Sequence, residues 1–314
     1  MISSLTKQES VAISYLRVTA MTFIVVCHFM QALASHWAWV FNIGVQIFLL
    51  ISGFLYGHKH VDNWLNWYKK RFVRIYVPFF LFFVAVLPLY AVTDKISVKQ
   101  IIVYVANLQG FFGGVKGLGH LWFLTAIALC YVITPILQWS KRWSTFLIWV
   151  VVFSAISIFL YFPCLGYESS WIILYSLGYY LANTTKITRL VLTLTMFMVL
   201  GWLLTNFSWV SMMDMHSAWS MALHCVGALL IISIGLFLFN VVRTVYIPRA
   251  IKVLDNYSFQ IYIVHHMLIL PPFGMLYVTG SMTFNLIFIF FYIVFYTLLL
   301  SVASETIVRL FTKI

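Results

Sequence analysis

The stretch VAISYLRVTAMTFIVVCHFMQAL, Val11 to Leu33, decides the fold. As a helix it would run about 35 Å, enough to cross a bilayer, and it is apolar apart from a few positions. Two of those positions are Arg17 and His28. An arginine at mid-membrane costs roughly 2.5–3.5 kcal/mol on insertion scales, so an ionisable residue held there is a functional candidate. The two are eleven positions apart, nearly three whole turns, so they share one helix face about 16 Å apart in depth. That geometry suits a long reactant gripped at one end and activated further along. A plainer reading stands beside it: Arg17 snorkels to a headgroup and His28 is an interhelical hydrogen-bonding histidine.

The rest of the composition extends this first span to the whole molecule. Of 314 residues, 63% are hydrophobic and 8% charged, a balance that fits a polytopic helical membrane protein and excludes an ordinary soluble domain. The expected fold class is an all-α polytopic membrane protein with about ten transmembrane helices. They are placed near 11–33, 37–57, 72–92, 119–139, 144–162, 168–183, 189–207, 217–240, 257–277 and 282–305. Residues 1–314 read as a single transmembrane domain. With the N-terminus in the cytoplasm, sixteen of the 19 Lys and Arg residues fall inside, and only Lys95, Lys99 and Lys116 outside. This positive-inside bias places both termini in the cytoplasm. The net charge of +12 therefore reads as a topology signal and not as a nucleic-acid patch. Cys27, Cys130, Cys164 and Cys225 are scattered and form neither a disulfide framework nor a metal-ligand pattern, so no metal is expected.

Along the chain, small clusters carry the chemistry. The second span holds NIGVQIFLLISGFLYG, whose glycines let helices approach closely; its Ser52-Gly53 pair could also break the helix and expose backbone donors. In the basic run that opens the third span, Arg71 and Arg74 are three apart and project from one side. Two guanidinium forks at that spacing can hold phosphates, or simply meet anionic lipid. The segment near 98–112 is too short to cross, which predicts an interfacial or re-entrant helix followed by a glycine-rich approach. His120 and Trp122 open the fourth span at the outer interface. His265 and His266 sit mid-span, about 100° apart on a helix, so one of the two at most is expected to share a cavity with His28. His224, Glu168 and Asp214 read as structural, and Glu305 as a partner for a cytoplasmic arginine.

Taken together these pieces resemble the acyltransferase-three family of integral-membrane acyltransferases, from Tyr15 to about Pro272. Arg17 and His28 match its Arg/Lys–ten residues–His motif, and IFLLISGFL resembles its Phe-rich Ser-Gly-Phe motif. Arg71 and Arg74 match Arg-x-x-Arg. GHLWFL and YSFQIYIVHH resemble its His-Leu-Trp and Tyr-Ser-x-x-Ile-Tyr-Leu-x-His signatures. One departure is visible: many members carry acidic residues where this chain has Thr125, Ala126, Ile127 and Ala128.

The resemblance implies transfer of an acyl group, usually acetyl, from cytoplasmic acetyl-CoA to a hydroxyl of an extracytoplasmic glycan or lipid-linked sugar. It implies a multi-pass protein of a bacterial-type cytoplasmic membrane, acting on surface polysaccharide or another part of the cell envelope. His28 and Arg17 would be catalytic, with Arg71, Arg74, Ser52 and Gly53 on the donor. His120, Trp122, Tyr262 and His265 would meet the acceptor. His28 would act as general base or carry the acyl group covalently. A transporter for a glycan or small solute, passing protons between His28 and His265, is the alternative class.

Overall fold

The computed structural model describes residues 5–140, 170–206, 208, 218–243 and 245–312. The span expected at 144–162, and Cys164, Glu168 and Asp214, lie outside them. The described helices are α1 (Lys7–Ala32), α2 (Ala38–Phe41), α3 (Gly44–Gly57), α4 (Trp64–Val92), α5 (Val98–Val105) and α6 (Gln109–Phe112). A short 3-10 turn (Gly119–Leu121) then leads into α7 (Trp122–Trp139). After it come α8 (Ser170–Leu181), α9 (Lys186–Asn206), α10 (Ala218–Val242), α11 (Arg249–Ile269) and α12 (Met282–Thr312). No strand is present among the described residues.

The protein is an all-α, polytopic membrane protein. Among the described residues seven helical segments are long and apolar enough to cross a bilayer: Lys7–Ala32, Ala38–Gly57, Trp64–Val92, Gly119–Trp139, Thr188–Asn206, Trp219–Val242 and Met282–Phe311. The sixth expected span is represented by the shorter apolar helix Trp171–Leu181. The ninth is shifted toward the N-terminus: α11 starts at Arg249 and stops at Ile269, because Pro271 and Pro272 cannot continue it. The third starts eight residues early, so the basic run Lys69 to Arg74 is helical.

The chain divides into two compact units. The first comprises Met1–Cys27, His36–His60 and Val132–Asn256. Its tightest seam joins α3 to α8, and glycines make it possible. A Cβ on Gly53 would lie 1.9 Å from the Tyr175 carbonyl oxygen, and one on Gly178 2.1 Å from that of Leu50. Gly44 meets Ala20 of α1 in the same way, at 2.4 Å. α3 runs unbroken through Ser52 and Gly53, so of the two readings of this pair close packing holds and the helix break does not. Their backbone groups are spent inside the helix, and the glycine serves close packing. Ion pairs tie this unit, among them Arg189 Nη1 with Glu9 Oε1 at 2.7 Å and Arg17 Nη2 with Asp255 Oδ2 at 2.9 Å.

The second unit comprises His28–Ser35, Val61–Tyr131 and Tyr257–Ile314. Here α4 packs on α12, and the connection after α4 folds back over α7. α5 begins with a capping box in which the Ser97 and Gln100 side chains satisfy each other's backbone N–H groups. It buries Tyr104, stacked on Phe83 at 5.1 Å, and leaves Val98, Ile102 and Val105 exposed along one side. That apolar stripe suits the interfacial helix that the sequence anticipates.

Candidate functional site

The second unit gathers histidines from three separate stretches of chain. His28 comes from the last turns of α1, His120 from the 3-10 turn, and His265 and His266 from α11. The His28 ring lies 4.5 Å from His266, 5.2 Å from His265 and 6.4 Å from His120, centroid to centroid. His120 and His266 stack at 4.3 Å. Both members of the His265-His266 pair therefore reach His28, against the expectation that one at most would. The two side chains straddle the direction toward His28, their own rings 6.3 Å apart, so the 100° between them admits both.

Each ring is held by a hydrogen bond to an oxygen. His120 Nε2 donates to the Ile263 carbonyl at 3.0 Å, and His266 Nδ1 to the Gly117 carbonyl at 2.8 Å. His265 Nδ1 turns back on Ile261 of its own helix at 3.0 Å. His28 Nδ1 meets the Gln31 side-chain oxygen at 2.8 Å. Tyr262 completes a reciprocal lock, because its hydroxyl donates to the carbonyl of His120. With one nitrogen donating, the other nitrogen of a neutral imidazole can only accept. His120 Nδ1 and His265 Nε2 are such acceptors, buried and without a partner in the structure. A buried acceptor left unsatisfied costs free energy that a donor from a substrate can recover. Among the described residues no group of three or more His, Cys, Asp or Glu is arranged to hold a metal ion.

The glycine-rich approach holds the cluster from outside α11. Gly117 has φ +86°, a conformation that L side chains rarely adopt, and its carbonyl is the one His266 uses. The Tyr90 hydroxyl donates to the Lys116 carbonyl, and the Tyr104 hydroxyl accepts from Val115 N at 2.8 Å. Burial pushes the Tyr104 hydroxyl well above the usual phenol range, so it stays protonated at any working pH. Thr125, where a carboxylate was the family expectation, accepts from Gly110 N and donates to the Asn107 carbonyl. In this chain that position pins the segment around Asn107 and Gly110 to α7.

The remaining expected site residues are placed as follows. Trp122 is half-buried at the start of α7. Arg71 is half-buried and Arg74 exposed, both early in α4. Arg17 lies on α1, eleven residues before His28; its Nη2 is taken by Asp255, while its Nε is buried without a partner. Gly53 lies under Tyr175, with Ser52 beside it in the unbroken helix α3. His224 is structural as expected, its Nε2 bonded to the Trp39 carbonyl, and Glu305 pairs with Arg309. Four contributors escaped the sequence reading. Asp255 and Gln31 carry no motif of their own, Gly117 is one glycine among several, and of the adjacent histidines the family signature singles out His265 and not His266.

Neither a curated protein nor a solved structure matches the chain. The family model described as an acyltransferase domain, by contrast, matches residues 10–306, which takes in the histidine cluster and every motif around it. The chain belongs to the acyltransferase-three family and is a multi-pass membrane acyltransferase.

Proposed function

We propose that the protein moves an acetyl group from cytoplasmic acetyl-coenzyme A to a hydroxyl of an extracytoplasmic or lipid-linked glycan. The observation that carries this reading is the pair of buried, unpartnered acceptor nitrogens, His120 Nδ1 and His265 Nε2, beside His28. Lone pairs in a buried place favour a ligand that brings O–H donors, and a sugar presents several on adjacent carbons. One of those hydroxyls meets His28, which takes its proton as general base while the oxygen attacks the thioester carbonyl. The C–S bond then breaks, the O–C bond is complete, and coenzyme A leaves as a thiol. Neutral imidazole suits this work because its ordinary pKa lies near working pH.

The donor end falls to cations. Arg71 and Arg74, three apart on α4, offer guanidinium forks to the phosphates of coenzyme A. The excess of Lys and Arg in the loops on one side supports a donor held at the cytoplasmic face, with both termini in the cytoplasm.

The test is acetyl transfer by detergent-purified protein at matched amounts. His28→Ala should fall by about 100-fold or more. In the same preparation Arg71→Ala with Arg74→Ala should weaken acetyl-coenzyme A binding. Near wild-type turnover by His28→Ala would remove the general base from this scheme. Mass analysis of envelope glycans from cells with and without the protein names the acceptor, through a gain of one acetyl unit.

A further inference from the structure

We propose that Gln31 is a positioning residue that sets which nitrogen of His28 is the base. The proposal rests on His28 acting as the base, and it adds how the ring is prepared for that step. Three of the four clustered imidazoles are oriented by backbone carbonyls: those of Ile263, Ile261 and Gly117. His28 alone in the cluster is held by a side chain, with Nδ1 at 2.8 Å from Gln31 Oε1, one turn further along α1. An amide oxygen can only accept, so Nδ1 carries the hydrogen and the basic lone pair is at Nε2. Without that contact both neutral tautomers are open to the ring, and one of them turns an N–H where the acceptor hydroxyl must give up its proton.

The choice of an amide has its own chemistry. A carboxylate in this place would orient the ring equally well, and would also stabilise the imidazolium formed when the proton is taken. Gln31 orients without adding charge. The proton that leaves the acceptor oxygen is therefore held weakly at Nε2, ready to pass to the sulfur of the departing coenzyme A as the C–S bond breaks. The buried place favours this, because a net charge costs more there than in water.

Two substitutions separate this role from packing. Gln31→Met keeps length and volume but has no oxygen; kcat should fall by about tenfold or more, with KM for acetyl-coenzyme A unchanged. Gln31→Glu keeps the acceptor and adds charge. It should retain most of the turnover, while the acid limb of the pH–rate profile moves up by about one pH unit or more. Wild-type kcat in Gln31→Met, or an unmoved acid limb in Gln31→Glu, overturns the proposal. If Gln31→Met does not fold, the pH profile of Gln31→Glu decides alone. His28→Ala is run alongside: should it keep its turnover, the base assignment fails, whereas an inactive His28→Ala beside an unaffected Gln31→Met sinks the role of Gln31 only.

Discussion

At the residue scale, Gly117 concentrates several demands on one atom's absence. Its φ of +86° disfavours any side chain, and a Cβ would come within 2.5 Å of the Tyr90 hydroxyl and 2.8 Å of Pro272 Cδ. Gly117→Ala is therefore expected to cost about 1–3 kcal/mol from backbone strain, with the Tyr90 contact adding to it. It should also slacken the His266 tie and lower transfer. A melting temperature equal to wild type in detergent would show that the loop adapts. Arg17 teaches a different lesson at the same scale. Its partner Asp255 has a side chain only 9% exposed, against 37% for the arginine, so losing the cation leaves a carboxylate with little access to water. Part of any defect in Arg17→Ala belongs to the loss of charge compensation at that carboxylate, and only the remainder reports on the donor.

At the element scale, α5 is the piece whose local rules are clearest. Ser97→Ala removes one half of the capping box and should cost about 1 kcal/mol. Because α5 is short and lies at the rim of its unit, the effect should be local. Hydrogen exchange across Val98–Val105 should quicken while the global melting temperature stays put; a falling melting temperature would make α5 integral to the unit. Here the sequence is legible: length excludes a span, and apolar residues on one side mark an interface. It is equally legible in the long helices, where the apolar runs of the sequence coincide with the seven crossing segments among the described residues. It leaves alternatives open where helix contacts decide. Ser52-Gly53 reads as close packing or as a break, because small residues serve either. Packing against Tyr175 settles it in favour of the continuous helix, and that contact spans more than a hundred residues of chain. The histidine cluster divides the same way. The motifs pick out His28, His120 and His265, while His266 and Gln31 require knowing how α11 faces α1.

At the scale of the whole molecule, the charge asymmetry makes a prediction about direction. Cysteine placed at Lys99, exposed on α5, should react with an impermeant reagent in intact cells, and cysteine at Asn66 should stay protected. The opposite pattern would invert the flow of acyl groups. The hydrogen bonds of the cluster carry a consequence for descent. His120 and His266 each anchor a distant stretch of backbone, at Ile263 and Gly117, and Tyr262 anchors His120 in return. A lineage drifting toward a new acceptor cannot trade these imidazoles singly, since each loss also unfastens a strut; such variation has to travel in linked sets. His28 is tethered within its own helix, three residues away, and is the one member whose reactivity a single inherited exchange can retune.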